Sequence, residues 1–391
     1  MVIILTNFNN KSYQIFISLF FLDAILTPIT LSLGHARLGN IFFHGFKVSF
    51  IALFILLIVF HLKNNMRLHF ISKLFVFYLP IVLIHGLYVY GFNYYMFSHA
   101  YGLLIAVLGL SFGQYFIQES SLQIINGFQK KLRYYFWILG IILTVYIQLH
   151  FMGVIEYFGM SSMMGYFSLY FLSQGLIVLF LISLIFILFS GKRVVLLSTL
   201  LTAIIYLIAS KKSALSIKIV YFGLFVFFMF VAAQFNLLDR FQNILLLTEM
   251  NDNQLYALTG GRLFELKYLF SFMSENIENW YIGAGFGAHF IEPFGLNDDT
   301  GSSYKHYSHF SPMYLAMIYG APFSFLAYFS IGTIIRTAIK KKLTQNWFVM
   351  VLIMLTISSF AGSTLYVDMK FWIFLGITIG LIKNKRIEPE L

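Results

Sequence analysis

The sequence predicts an all-α, polytopic membrane protein of about 11–12 transmembrane helices, with one large polar loop held outside the bilayer. Three observations predict it. Sixty per cent of the 391 residues are hydrophobic and only 10% are charged, where a soluble domain carries roughly 25% charged residues. Long apolar runs, which are candidates to cross a bilayer, recur along the whole chain. Lysine and arginine gather in short clusters between those runs, the signature of loops kept on the inner side.

Taken in order, the first apolar run is Tyr13–Leu33. Met1 to Asn10 has no basic region before it, so this run is expected to span rather than to be cleaved as a leader. The others fall at Ile41–Leu62, Ile71–Tyr90, Phe97–Ile117, Leu132–Phe151, Tyr166–Phe189, Val194–Ala209 and Ile217–Phe235. A polar segment, Asn236–Ser311, then separates these from Pro312–Ile335, Trp347–Gly362 and Phe371–Ile382. The chain therefore divides into N-terminal spans over 1–235, a loop over 236–311 carrying the candidate site, and C-terminal spans with a tail over 312–391.

Sidedness follows from the basic clusters. Lys63, Arg67 and Lys73 mark one inner loop, Lys130, Lys131 and Arg133 a second, and Lys192 with Arg193 a third. Arg336, Lys340, Lys341 and Lys342 mark a fourth, and Lys383, Lys385 and Arg386 place the C-terminus inside with the N-terminus. Counting back from Lys340 puts the polar segment outside, whereas counting forward from Lys192 puts it inside. One crossing is missing between Lys192 and Asn236, and Ser210–Phe235 is the expected place for two short crossings or a re-entrant piece.

Composition excludes several function classes. The formal net charge of +11 resides in short interhelical clusters, so it reads as topology and not as a nucleic-acid surface. With no cysteine, disulfides, thiolate metal sites and a cysteine nucleophile are ruled out. The 47 Phe and 25 Tyr suit lipid-facing and interfacial positions.

Chemistry-bearing residues concentrate in the polar segment. Arg262 follows Gly260 and Gly261 and opens a helix-like stretch to Met273; its guanidinium fork suits bidentate phosphate binding. Gly283, Gly285 and Gly287 form a Gly-x-Gly-x-Gly run without the strand–turn–helix unit of a nucleotide fingerprint. That run reads first as a tight turn packed against the membrane face, and the shaping of a pocket for a lipid-linked phosphate stays open beside it. His309, with His306, lies just before the next span, where an imidazole can act as a general base. No carboxylate at helical spacing completes a metal ligand set with these histidines. Asp298 and Asp299 read as a solvated turn. Lys211 and Lys212 have two readings, a cytoplasmic anchor or a cationic clamp lining the outer cavity.

Taken together, these residues resemble the O-antigen polymerase and ligase superfamily of bacterial envelope glycosyltransferases over roughly Ser210 to Tyr328. Ser210-Lys211-Lys212-Ser213-Ala214 is similar to the family's Ser-Arg element, with Lys where Arg is usual; Gly261-Arg262, the Gly283–Gly287 turn, and His309 followed by a span with Gly320 match the remaining marks in order. The resemblance implies an inner-membrane enzyme with its large loop in the periplasm. It implies transfer of a glycan from an undecaprenyl-pyrophosphate carrier, with neither nucleotide, metal nor other cofactor. In that reading Arg262 and Lys212, with Lys211 or Arg240, hold the pyrophosphate. His309 binds or deprotonates the acceptor hydroxyl or steadies the leaving group, and His306 and the three glycines contribute to substrate binding. A chain-length regulator (a polysaccharide co-polymerase) and membrane lipids are the implied partners.

Polymerase and ligase share this machinery and differ in acceptor; length and Phe/Ile/Tyr-rich composition favour the polymerase. A lipid-linked oligosaccharide flippase would also have about twelve spans. It would need charges within spans along a central path and often shows two related halves, whereas here the spans are nearly free of charge, with Asp23, Lys47 and Asp368 the main exceptions, and the sequence shows no internal repeat.

Overall fold

The computed structural model describes residues 68–119, 122–151, 163–189, 193–209, 223, 262–291, 304–305, 308–360, 366 and 368–383. The expected spans at Tyr13–Leu33, Ile41–Leu62 and, apart from Gly223, Ile217–Phe235 lie outside the described residues. The described elements are α1 (Phe70–Tyr90), α2 (Tyr94–Glu119), α3 (Leu122–Phe151), α4 (Met163–Ser173), α5 (Ile177–Phe189), α6 (Arg193–Ala209), α7 (Arg262–Glu275), α8 (Ile277–Ile282), the paired strands β1 (Phe290–Ile291) and β2 (Tyr304–Lys305), α9 (Ser311–Tyr319), α10 (Ala321–Lys340), α11 (Trp347–Ser358) and α12 (Met369–Lys383). Among them α1, α2 and α10 are long and apolar enough to cross a membrane.

Local chemistry sets these boundaries. His69 caps α1 by accepting from the Ile71 amide at 3.3 Å, and α1 stops at Gly91, whose φ is +64°. Asn346 caps α11 through Phe348, and Asp368 accepts from the Lys370 amide at the start of α12. Asp368 is thus a helix cap and not a charge within a span. Hydroxyls inside the apolar helices bond to carbonyls one turn back, such as Ser111 to Val107, Thr333 to Phe329 and Thr378 to Phe374, which satisfies them without water.

The centre of the fold is the α2–α12 pair, whose contact is the most extensive between any two described elements. Small residues make the approach possible. Gly109 and Gly113 on α2, and Gly376 and Gly380 on α12, are both spaced Gly-x-x-x-Gly. A Cβ on Gly113 would lie 2.2 Å from the Ile373 oxygen, and one on Gly376 would lie 2.2 Å from the Leu110 oxygen. The two backbones therefore touch, the arrangement small-x-x-x-small faces give in membrane helices. Around this pair, α11 packs with α4 and α6 on one side, while α1, α9 and α10 pack together on another. At the centre Phe75 meets Tyr319, Phe323 and Trp372 edge-on and Tyr366 at a tilt, and α1 and α10 turn Phe77, Ile84, Phe325 and Phe329 outward.

Two expected spans are differently built. Tyr166–Phe189 is not one span but a hairpin of α4 and α5, closed at Gln174–Leu176 around Gly175, whose φ is +69°. The Ser168 and Ser183 hydroxyls meet across it at 2.6 Å. Pro312–Ile335 is broken at Gly320, φ +90°, into α9 and α10. The cause is a wedge: a Cβ on Gly320 would fall 2.3 Å from the Tyr281 carbonyl oxygen, so the C-terminal end of α8 occupies the break.

The bundle has two chemically distinct ends. At one, burial and the positive charge of Lys383 push the His69 imidazole down from 6.5 to about 4, and Lys341 Nζ donates to the Ile382 carbonyl at 2.8 Å. The start of α1, the end of α10 and the end of α12 thus meet among Lys73, Lys340, Lys341, Lys342 and Lys383. At the other end, α7, α8 and the glycine turn cover α1, α2 and α9.

Candidate functional site

The glycine run is a packing seam. Gly283, Gly285 and Gly287 have φ of +79°, +86° and +90°, a region open to glycine at little cost. Every amide from Gly283 to Ala288 donates within the protein: Gly283 to Asn279, Ala284 to Met317, Gly285 to Ile318, Phe286 to Val82, Gly287 to His99 Nδ1 and Ala288 to Gly285. A phosphate could not use those donors. The expected tight turn is there, and its glycines serve backbone contact: a Cβ on Gly86 would lie 2.1 Å from the Phe286 oxygen, and one on Gly283 would lie 2.4 Å from the Ile318 oxygen. Asn93 Nδ2 donates to the Gly287 carbonyl at 3.3 Å, and the His289 ring lies against Tyr90 and Tyr95. The turn therefore pins the polar segment to α1, α2 and the α9–α10 break.

Beside this seam stands the one carboxylate that the fold buries and pairs among the described residues. Glu265, on the first turn of α7, is 2% exposed, while the His309 side chain is 38% exposed. Glu265 takes hold of the Ser308–His309 corner with both oxygens. The His309 amide donates to Oε1 at 2.5 Å, and His309 Nδ1 lies 2.8 Å from Oε2. Burial by itself would raise the Glu265 carboxyl. Hydrogen bonding and positive charge from the His309 ring, with hydrogen bonds from the Ser308 hydroxyl and the His309 amide, outweigh it and hold the carboxyl below its ordinary 4.5. At neutral pH Glu265 is therefore a carboxylate, which can only accept hydrogen bonds.

Arg262 is exposed at the first position of α7. It lies three residues before Glu265, so the two side chains are neighbours on one helical face, with Cβ atoms about 5–6 Å apart. Arg262 and His309, the two residues singled out as catalytic, thus each stand next to Glu265, the first as its neighbour one turn back on α7 and the second as its hydrogen-bonded partner. The N-terminus of α7 adds its partial positive charge to the arginine's. Such a corner carries a cation suited to an anionic leaving group and an imidazole held by the carboxylate one turn along the same helix. Lys211, Lys212, Arg240, His306, Asp298 and Asp299 lie outside the described residues.

Sequence reasoning gave no role to Glu265 or to His99. Glu265 had a local signal, as one of only 15 acidic residues and one turn after a flagged arginine. His99 had none; it is fully buried, accepts from the Gly287 amide, and its own carbonyl takes the Tyr366 hydroxyl at 2.6 Å. No family model, curated protein or solved structure matches the chain.

Proposed function

We propose that the chain is a polytopic inner-membrane glycosyltransferase. It joins undecaprenyl-pyrophosphate-linked oligosaccharide repeats at the outer face of the membrane, as an O-antigen-type polymerase. The observation that carries this reading is the grip of Glu265, one turn after Arg262 on α7, on the amide and ring of His309, 44 positions further along the chain. They meet at the end of the bundle opposite the lysine-rich end. Arg262 binds the pyrophosphate and stabilises the charge that grows as it leaves. His309 serves the acceptor hydroxyl. The resemblance to the polymerase and ligase superfamily, whose pattern has an arginine in the outer loop and a histidine at the outer face, supports the same assignment.

The α4–α5 hairpin bears on sidedness. Helices of 11 and 13 residues rise about 17 and 20 Å, short of the roughly 30 Å hydrocarbon core. The chain enters and returns on one side. Gly165 near the start of α4 lies against Met354, while Tyr166 and Tyr170 both reach Trp347 at the lysine-rich end of α11. The hairpin thus dips from the outer side, and α6 runs back inward past Gly165 at Val195 and Thr199. This supplies the missing reversal before Lys192 and not after it, so the Lys192–Arg193 cluster, which charge alone assigns to an inner loop, falls outside in this reading. The polar segment stays outside, and Lys211 and Lys212 take their cytoplasmic-anchor reading. Arg262, with Arg240, is left as the outer cationic group.

The test is the lipopolysaccharide pattern of a strain lacking the protein, complemented with wild type, Arg262→Ala or His309→Ala. Lipid A-core bearing a single repeat, restored to a ladder by wild type and by neither variant, is the expected result. Bare core in the deletion strain would instead indicate a ligase or a flippase. A full ladder from both variants would remove these residues from the chemistry.

A further inference from the structure

The Glu265–His309 geometry decides which ring nitrogen of His309 does the work. Glu265 Oε1 is taken by the His309 amide and Oε2 faces Nδ1. An ionised carboxylate has no proton to give, so the proton between Oε2 and Nδ1 belongs to the ring. A neutral imidazole protonated at Nδ1 carries its basic lone pair on Nε2. The side chain keeps 38% of its surface exposed although the carboxylate gripping its Nδ1 is almost wholly enclosed.

We propose that Glu265 is a positioning residue that holds His309 in the Nδ1–H form, so that Nε2 takes the proton of the acceptor hydroxyl. This rests on the reading of the site as one of glycan transfer. The step balances without a metal or a second reactant. The acceptor oxygen bonds to the anomeric carbon of the donor sugar, and its proton passes to His309 Nε2. The bond from that carbon to the pyrophosphate oxygen breaks, and the polyprenyl pyrophosphate leaves with the electron pair beside Arg262. The carboxylate behind the ring steadies the imidazolium formed, the orienting role an acid plays in hydrolytic triads, and solvent then takes the proton. Of the roles open to His309, this one makes it the base and leaves the leaving group to arginine.

Other titratable or charged groups stand on the elements packed around the pair. They are Arg262, Lys267, Tyr268 and Glu275 on α7, Glu278 and Tyr281 on α8, Tyr314 and Tyr319 on α9, and Lys305 with Tyr304 on the β2 strand. The charge of the His309 ring is among the causes that lower the Glu265 carboxyl.

Glu265→Gln tests the assignment by a forced inversion. The His309 amide can only donate, so the glutamine must present its carbonyl oxygen there and its NH₂ to the ring. Nδ1 then has to accept, and the proton moves to Nε2. In purified protein, ¹⁵N NMR of the histidines, with His309 identified by His309→Gln, is expected to show Nδ1 protonated in wild type and Nε2 protonated in Glu265→Gln. With a lipid-pyrophosphate oligosaccharide donor, Glu265→Gln is expected to lower kcat about 10²-fold or more, within the 10²–10⁴-fold range of a general base. KM for the donor should stay unchanged. Glu265→Asp should restore part of the rate and the wild-type pH profile. A wild-type His309 protonated on Nε2 alone overturns the proposal whether or not transfer is seen. So does an active wild type whose kcat and pH profile survive Glu265→Gln. A wild type with the Nδ1–H form but no transfer at any pH overturns the glycan-transfer reading, and the assignment of Nε2 as base with it, and leaves only the pairing.

Discussion

Replacing Gly376 with alanine is expected to open the α2–α12 seam. The added Cβ would stand 2.2 Å from the Leu110 carbonyl oxygen, and 3.0 Å from both the Gln114 nitrogen and the Gly113 Cα. All three are backbone atoms, so no side chain can swing aside. Ordinary contact returns only if the helices part by about 1 Å, a gap that forfeits about a quarter to a half of the dispersion attraction of each atom pair across it. Overpacking of this kind costs about 1–3 kcal/mol and sometimes more. The alanine returns about 1 kcal/mol in helix propensity. The balance is a loss of up to about 2 kcal/mol, at the centre of the fold. Gly332 in α10 supplies the control, because a Cβ there meets nothing within 4 Å and only the propensity gain applies. Thermal unfolding in detergent, followed by tryptophan fluorescence, should show a lowered midpoint for Gly376→Ala and an equal or raised one for Gly332→Ala. Equal midpoints for the two, or the reverse order, would refute backbone contact as the reason for those glycines.

Three further outcomes are expected. Tyr366→Phe strands the Tyr319 hydroxyl, which lies 2.6 Å from that of Tyr366, and should destabilise by about 1–3 kcal/mol; Tyr314→Phe removes a buried hydroxyl without a partner and should be neutral or stabilising in the same melts. Glu265, whose carboxyl is held below 4.5 when folded, binds fewer protons folded than unfolded in that window. Its contribution is therefore present above 4.5 and lost as pH falls through the lower folded value. The unfolding midpoint of wild type should thus drop more steeply below pH 4.5 than that of Glu265→Gln, and parallel curves would contradict this. Because the chain has no cysteine, single cysteines report sidedness: a membrane-impermeant maleimide on intact cells should label Ser274→Cys and Val194→Cys but not Lys340→Cys or Ala209→Cys, and labelling of Ala209→Cys from outside would return the reversal to a point after α6.

Much of the helical content was legible because apolar length and basic punctuation both mark it: α1 and α2 fall where the runs at Ile71–Tyr90 and Phe97–Ile117 do. The α4–α5 hairpin was not, because its turn at Gln174–Leu176 interrupts an apolar run too briefly to register in hydropathy. The break at Gly320 had a local sign in the glycine followed by Pro322, but nothing local says that Tyr281 fills it. Gly283, Gly285 and Gly287 announced a special backbone; whether such a backbone meets a phosphate or another helix depends on Val82 and Met317, which sequence spacing does not bring near. Arg262 and His309 were found as types suited to a phosphate and to a proton. The pairing of His309 with Glu265 spans 44 residues and has no signature in either neighbourhood.

The decisive measurement is transfer by the purified protein in proteoliposomes supplied with an undecaprenyl-pyrophosphate-linked oligosaccharide repeat and no nucleotide sugar. Glycan longer than one repeat, formed together with an equal amount of free undecaprenyl pyrophosphate and abolished in Arg262→Ala and His309→Ala, is the expected result. Intact donor after incubation with well-folded wild type, or lengthened glycan from both variants at the wild-type rate, would contradict the assignment of this site to glycan polymerisation.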